Sequence, residues 1–288
     1  MVFSKVESQA RECRHPLRNC DIIISKNAGD TLDIITSSQN SLVKKIKALS
    51  TGKGRKRFCE FIAEGNKFVL NIPKDWEITN TIFSESYALN NNAVLSSAVN
   101  PVIFSDRIFN SISDAVTPAG VLAVIKIKEF SISDILSCSK KFIILACNLQ
   151  DPGNMGTLIR TANAVEASGV IVSPECADIW SPKVVRATAG SVFNIPIAVM
   201  DIELAAKELK ANGISLVATD LSASLSPYQA DFTKPLALMI GNESNGLSAE
   251  MLALSDVKVK LPMSEQVESL NASVASGVLM YEVLRQRG

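Results

Sequence analysis

Residues 141–288 alternate between short apolar runs and amphipathic segments, and this alternation leaves the chain few folds to adopt. The apolar runs FIILAC, GVIVS, NIPIAVM, SLVATD, PLALMIG and VKVKLPM are typical of strands. Segments with helical periodicity separate most of them, and the last such segment reaches Arg287. Because a strand followed by a helix returns the chain to the same end of a sheet, the pattern predicts a parallel sheet with helices on both faces.

Three unusual loops follow strands of this predicted sheet. They begin at Asn148 (NLQDPGN), at Ile240 (IGNESNGLS) and at Leu261 (LPMSEQVESLN). In an open parallel sheet, ligands bind outside the carboxyl ends of the strands. Each loop alone is more often an ordinary turn, but three in one half of the chain favour one shared site.

The residue inventory excludes several kinds of chemistry for this half of the chain. His15 is the only histidine of the 288 residues, so Ser-His-Asp, Cys-His and histidine-metal sites are excluded from residues 141–288. No G-x-G-x-x-G follows a strand, and no G-x-x-x-x-G-K-[ST] occurs. Cys13, His15 and Cys20 match none of the usual zinc spacings, so no metal site is predicted.

Composition and charge describe the whole chain as globular. It is 47% hydrophobic with a formal net charge of zero, so a packed core is expected and any polyanion site must be a local patch. No apolar run approaches the roughly 18 residues that span a bilayer, and the N-terminus has no signal-peptide pattern. Six scattered cysteines without a C-x-x-C pair favour free thiols. We therefore expect a cytoplasmic protein without membrane association.

Three ordered motifs identify a family resemblance. D-P-x-N-x-G-x-x-x-R-T-A spans Asp151–Ala162, G-N-E-x-x-G-L spans Gly241–Leu247, and L-P-M…S-L-N-x-S-V-A spans Leu261–Ala275. In this order they resemble the signature motifs of the SpoU/TrmH family, which are S-adenosylmethionine-dependent RNA ribose 2'-O-methyltransferases of the SPOUT class. The segment Ser181–Ile197 is also similar to the family's intervening segment. The resemblance covers about half of the chain.

The resemblance implies a fold, a methyl donor and an assembly. The fold is a SPOUT parallel sheet whose C-terminal part forms a trefoil knot, an exception to the rule that chains are unknotted. The donor is S-adenosylmethionine, with no metal, and the enzyme is a homodimer with its site near the interface. The implied donor contacts are Thr219, Ile240, Gly241, Leu261, Met263 and Leu270.

The resemblance also implies the reaction, an in-line attack of a ribose 2'-oxygen on the sulfonium methyl group. Arg160 would approach the 2'-hydroxyl, and the arginine could act across the dimer. Arginine is effectively always protonated. We therefore expect Arg160 to orient the ribose and stabilise a developing alkoxide rather than to act as a general base. The implied pocket around it consists of Asn154, Glu243, Ser269 and Asn271.

The upstream half predicts a small α/β unit over residues 34–127. Its segments ITSSQNSLVKKIKAL and FIAEGNKFVLN resemble the family's substrate-binding domain, which is L7Ae-like. Residues 1–33 are predicted as an unassigned tail, and the polar, Ser-rich residues 128–140 as a linker to the methyltransferase domain at 141–288. The segment TGKGRKR is predicted as a basic loop.

A concentrated basic patch lies in this upstream unit. Fourteen residues from Lys44 to Arg57 contain seven Lys or Arg. A solvated helix face is the structural alternative, but phosphate contact is the functional interpretation, and it predicts salt-sensitive RNA binding. The predicted RNA contacts are Lys44, Lys45, Lys47, Lys53, Arg55, Lys56 and Arg57.

Two departures from the family pattern leave alternatives open. Glu265 stands where most relatives have Gly, and Ala272 where Val is common. A catalytically weak RNA-binding protein with the same fold is therefore one alternative, and a nucleotide-binding oxidoreductase is another. The substrate is structured RNA; an L7Ae-like module favours ribosomal RNA of the 23S type, and transfer RNA remains the second choice.

Overall fold

The computed structural model describes residues 24–27 and 30–288, so most of the predicted tail, including Cys13, His15 and Cys20, lies outside the described residues. A short antiparallel hairpin precedes the rest of the fold. Its strands are β1 (Ile24–Asn27) and β2 (Asp30–Leu32).

The first domain is an α/β unit, as the sequence predicted, and consists of a five-stranded mixed sheet with flanking helices. Its strand order is β3-β6-β5-β7-β4, in which β3, β6 and β5 are parallel and β7 is antiparallel to both of its neighbours. The strands are β3 (Ile34–Ile35), β4 (Glu60–Glu64), β5 (Ile78–Ser84), β6 (Pro101–Phe104) and β7 (Val121–Lys126). The helices are α1 (Ser41–Leu49), α2 (Gly52–Phe58), α3 (Asn66–Val69), α4 (Glu85–Asn90), α5 (Asn92–Ser97) and α6 (Asp106–Ile112).

The prediction of a loop for TGKGRKR is wrong, because this segment forms helix α2. Thr51 caps the helix by accepting a hydrogen bond from the Gly54 backbone N–H at 3.1 Å. Gly54 permits a close approach to helix α1, because a Cβ there would lie closer than 3.0 Å to the Ala48 carbonyl. Packing against α1 and the hydrogen bonds that the buried Arg55 donates to Leu49 and Asp178 stabilise a helix whose two glycines are poor helix formers.

The second domain is a six-stranded sheet in which every strand pair is parallel, and this prediction is confirmed. Its order is β10-β9-β8-β12-β11-β13. The strands are β8 (Phe142–Ala146), β9 (Gly169–Val172), β10 (Ile197–Val199), β11 (Ser215–Thr219), β12 (Leu236–Ile240) and β13 (Val257–Val259). The trefoil knot stays a prediction, because strand order does not define how a chain passes through its own loops.

Helices cover both faces of this sheet. One apolar cluster joins α8, α9 and α12 to alternate strand residues such as Ile144 and Leu238, and a second joins α7, α10 and α11 to their neighbours on the opposite face. The helices are α7 (Ile132–Leu136), α8 (Pro152–Ala164), α9 (Pro182–Ala187), α10 (Ile202–Ala211), α11 (Ala249–Leu254) and α12 (Ala272–Arg287), with a 3-10 turn at Ser191–Phe193.

Residues 128–140, predicted as a linker, contain helix α7. A reciprocal capping box between Ser131 and Asp134 begins the helix. Ile132 and Ile135 are buried in the core of the second domain. Although residues 128–140 are rich in serine, helix α7 within them packs against the parallel sheet.

Candidate active site

The carboxyl end of the parallel sheet carries a cleft of about 430 Å³, within the range of small-molecule sites. It lies where the loops after β11, β12 and β13 meet, with the start of α12 as one wall. All six predicted donor contacts line it, namely Thr219, Ile240, Gly241, Leu261, Met263 and Leu270. Two residues predicted for the catalytic pocket, Glu243 and Ser269, line it as well.

A tight turn after β12 shapes the floor of this cleft. Asn242 and Gly246 exchange backbone hydrogen bonds of 3.0 and 2.9 Å. A Cβ on Gly241 would lie closer than 3.0 Å to the backbone of Gly246 and Leu247. Gly246 itself has a positive φ of 67°, a conformation that favours glycine. The two glycines of the second motif are therefore required by backbone geometry.

Glu243 links this turn to the loop after β8. Its Oε1 accepts hydrogen bonds from the Asp151 backbone N–H at 3.0 Å and the Asn154 side-chain amide at 3.1 Å. Its Oε2 accepts from the Gln150 backbone N–H at 3.3 Å. Strands β8 and β12 are adjacent, with Ala146 opposite Ile240, so the two motifs leave the sheet side by side.

Asn154 continues this hydrogen-bonded chain to the third motif. It is 8% exposed, and its Oδ1 accepts a 2.9 Å hydrogen bond from the side-chain amide of Asn271. Asn271 also caps helix α12 by accepting from the Ser273 and Val274 backbone N–H groups. The structure thus joins three of the predicted catalytic residues, Glu243, Asn154 and Asn271, in one chain of contacts.

The electrostatics of Glu243 favour the carboxylate. Partial burial raises its pKa, but the hydrogen bonds from Asn154 and from backbone N–H groups, including Asp151 and Gln150, outweigh burial and hold the pKa below its usual value. The ionised group has its lone pairs occupied by donors. It is therefore suited to organise the two loops rather than to accept a proton from a substrate.

We expect Glu243→Gln to weaken this junction by about 1–2 kcal/mol at about pH 7, since the amide replaces an acceptor of charge-assisted hydrogen bonds. Because folding lowers the pKa, the stabilisation is complete above the ordinary value of 4.5 and is lost as pH falls through the folded-state value. Urea denaturation of both proteins across pH measures this. A difference in unfolding free energy that persists unchanged at the acidic end would contradict it.

Arg160 does not join the Glu243–Asn154–Asn271 contacts within one copy of the chain. It is exposed on α8, and among the described residues it has no hydrogen-bond or ion-pair partner. Arg160 follows Asn154 by six positions along the helix, which corresponds to about 9 Å of rise and about 120° of rotation. The predicted catalytic set is therefore divided between two faces of α8.

Of the two departures from the family pattern, Ala272 lines the cleft and Glu265 does not. Glu265 is exposed in a turn closed by the Val267 backbone N–H and the Ser264 carbonyl, and it does not contribute to the cleft wall. Ala272 is the first residue of α12 and does line the cleft. The unusual carboxylate thus lies outside the lining of the cleft.

The seven basic residues of the predicted RNA patch fall into two groups. Lys45 and Arg55 have carboxylate partners in this chain: Lys45 binds Glu60 at 2.6 Å, and the buried Arg55 binds Asp178 at 2.6 Å. Arg55 is thereby corrected from a phosphate contact to an internal ion pair, because its charge is buried and already partnered. The exposed remainder are Lys44, Lys47, Lys53, Lys56 and Arg57.

Sequence reasoning missed three charged residues of the cleft, namely Asp220, Lys260 and Glu268. Asp220 follows β11 and Lys260 follows β13, and both line it. The rule that located the three loops applies to them, since both stand at carboxyl ends of parallel strands. They were missed because neither lies within a Gly- or Asn-rich run.

Over residues 24–27 and 30–288 there is no group of three or more His, Cys, Asp or Glu side chains placed to hold a metal ion. In the same ranges, no helix has the length and apolarity needed to cross a bilayer.

Comparisons with known proteins agree with both domains. The SpoU rRNA Methylase family pattern matches residues 141–281, and the MRM3-like substrate binding domain matches residues 40–123. The chain is 31% identical to a 23S rRNA (guanosine(2553)-2'-O)-methyltransferase of Bacillus subtilis, over 86% of this chain and 98% of the relative. It is also 31% identical to a tRNA/rRNA methyltransferase of Synechocystis sp., over 88% and 94%.

Solved structures extend the likeness to three dimensions. The AdoMet-bound rRNA methyltransferase of Sinorhizobium meliloti has a TM-score of 0.78 at 30% identity, over 88% of this chain and 98% of that one. The SpoU methyltransferase AviRb of Streptomyces viridochromogenes, in complex with AdoMet, has a TM-score of 0.79 at 28% identity, over 86% and 98%. With its motifs, fold and relatives in agreement over most of its length, this chain belongs to the SpoU rRNA methylase family.

Proposed function

We propose that this protein is an S-adenosylmethionine-dependent methyltransferase that methylates a ribose 2'-hydroxyl of 23S-type ribosomal RNA. The observation that carries the proposal is that the second and third motifs line one cleft and that the first motif is joined to both through the Glu243–Asn154–Asn271 contacts. Relatives named as 23S rRNA 2'-O-methyltransferases support the substrate class. We also propose a cytoplasmic location for this enzyme.

The cleft suits the methyl donor in size and lining. Apolar side chains such as Leu261 and Leu270 offer contact area, and the turn after Gly241 exposes backbone groups where a side chain would obstruct them. When bound there, S-adenosylmethionine supplies the methyl group as a sulfonium. The chain's own contribution is to orient the ribose and to exclude competing water.

The separation of Arg160 from Asn154 is the reason to propose a homodimer in which Arg160 serves the partner's cleft. Helix α12 presents an exposed apolar stripe next to α8, with Gly277 of α12 facing Thr161 of α8. A stripe of this kind marks an interface. Its residues and their exposed fractions are Val274 53%, Val278 38% and Tyr281 55%.

The exposed basic residues of α1 and α2 are the proposed phosphate contacts. We expect Lys56→Ala to lower RNA affinity at all sequences and to reduce the slope of log K against log salt by about 1. Filter binding at several salt concentrations measures this slope. Lys207→Ala removes an exposed charge from α10 as the matched control, and an equal effect of both changes would contradict a local patch.

The function is tested with labelled S-adenosylmethionine, the purified protein and total RNA from cells lacking the gene. We expect label in large ribosomal RNA, recovered as a 2'-O-methyl nucleoside. Label in transfer RNA instead would identify transfer RNA, and not ribosomal RNA, as the substrate. Donor binding without any transfer, to free RNA or to ribosome assembly intermediates, would favour an RNA-binding protein with the same fold, and copurified nicotinamide or flavin would favour an oxidoreductase.

A further inference from the structure

An ion pair between the buried Arg55 and the partly exposed Asp178 connects the two domains at helix α2. Arg55 is 5% exposed, and its Nε and Nη2 donate to Oδ2 of Asp178 at 3.0 and 2.6 Å. Its Nη1 donates to the Leu49 carbonyl at 2.8 Å, at the end of α1. One guanidinium thus holds both basic helices of the substrate-binding domain against a loop of the methyltransferase domain.

Aromatic side chains also pack across this contact between the two domains. Phe61 and Trp76 of the first domain meet Trp180 and Phe193 of the second, with ring centroids 4.7–6.1 Å apart. The Trp76 Nε1–H also donates to the Phe193 carbonyl at 3.1 Å. Domains move relative to each other by default unless their interface is large and hydrophobic. This interface is apolar, close-packed and fixed in register by directional hydrogen bonds.

The loop that carries Asp178 also supports the catalytic loop after β8. This connecting loop, residues 173–181, leads from β9 to the N-cap of α9. The Ala177 backbone N–H donates to the Leu149 carbonyl at 2.8 Å, immediately next to Asp178. At its other end, Ser173 Oγ accepts from the Asn148 backbone N–H at 3.0 Å.

The contacts therefore run without a gap from the basic helices to the methyl-transfer centre. From Arg55 they pass through Asp178 and its neighbour Ala177 to Leu149. The next two residues of that loop, Gln150 and Asp151, donate their backbone N–H groups to Glu243.

We infer that Arg55 and Asp178 are positioning residues that set the distance between the RNA-binding helices and the methyl-transfer centre. The inference rests on the proposed function. Phosphates held on α1 and α2 place the target ribose at the cleft only if the two domains keep one relative position. A displacement of about 1 Å in such an alignment lowers the rate by about 100-fold.

The test uses the full chain with Arg55→Lys, Asp178→Asn and the double variant. Lysine keeps the charge of Arg55, but its compact ammonium cannot contact Asp178 and Leu49 together in the same way. We expect kcat at saturating RNA to fall by about 10- to 100-fold in each variant. Donor affinity and the salt slope of RNA binding stay at wild-type values, and methyl groups are found on nucleotides next to the natural target.

The double variant and a control separate positioning from general damage. Two members of one unit act non-additively, so the double variant is expected to be no slower than the worse single variant by more than about twofold. Glu203→Gln, in an exposed pair with Lys207 on α10, is expected to match the wild type in every measurement.

Several outcomes would overturn the inference. A smaller slope of RNA affinity against salt with unchanged kcat would identify Arg55 as a phosphate contact. If the decreases in kcat of the two single variants multiplied in the double variant, Arg55 and Asp178 would act independently rather than as one unit. Loss of donor affinity together with a lower melting temperature would show that the Arg55–Asp178 pair stabilises the fold and does not position the RNA. Normal variants beside an active wild type would defeat this inference alone, whereas an inactive wild type would defeat the proposed function.

Discussion

Replacing Arg160 with alanine is expected to lower kcat for RNA methylation by about 100- to 1000-fold, or about 3–4 kcal/mol of transition-state stabilisation. A positively charged donor near the attacking 2'-oxygen matters most when negative charge develops on that oxygen. Arg160 has no partner among the described residues, so its loss leaves no unpaired group behind and the fold stays intact. Single-turnover methylation with labelled donor measures the effect.

Two further variants show whether the loss of activity depends on the guanidinium group of Arg160. Arg160→Lys keeps the charge but not the planar fork, and we expect it to remain at least about tenfold slower than the wild type. Lys207→Ala, an exposed charge on α10, should change nothing. Near-full activity of Arg160→Lys would show that a point charge is enough.

The position of Arg160 in the dimer is tested by mixing two inactive proteins. If Arg160 acts in the partner's cleft, a chain lacking Arg160 and a chain with a damaged cleft form one complete site per mixed dimer. Statistical exchange then restores about a quarter of the wild-type activity. No recovery after verified subunit exchange would place Arg160 in its own chain's site.

Gly241→Ala is the second change with a large expected effect, and it acts on the methyl donor. Its Cβ would lie closer than 3.0 Å to the Gly246 and Leu247 backbone, so the turn after β12 must open. We expect S-adenosylmethionine affinity to fall by about 100-fold or more, because displaced backbone atoms cannot be accommodated by side-chain movement. Isothermal titration with the donor measures this directly.

Gly277→Ala is the matched control for this substitution. A Cβ there meets only Thr161 Cγ2 at 3.9 Å, an ordinary contact, and alanine suits the interior of helix α12. Donor affinity should stay at the wild-type value. Wild-type donor affinity in Gly241→Ala would mean that the turn does not form the donor site.

The sequence by itself determined the fold class and located the loops that carry the candidate site. Regular alternation of apolar runs and helical segments is a local property, and each run from FIILAC to VKVKLPM became a strand of the parallel sheet. The carboxyl-end rule needs only the direction of the strands, so it located the loops at Asn148, Ile240 and Leu261 before their partners were known.

Only the tertiary structure decided which of these residues act together. Glu243 meets Asp151 and Asn154 because β12 lies beside β8, and strand order depends on packing between segments about 90 residues apart. Arg55 looked like its exposed neighbours until Asp178, 123 residues away, proved to be its partner. Local patterns encode what each segment becomes, but burial and side-chain partners arise when distant segments meet. This is why the internal ion pair of Arg55, the Glu243–Asn154–Asn271 contacts and the domain junction became visible only in the folded protein.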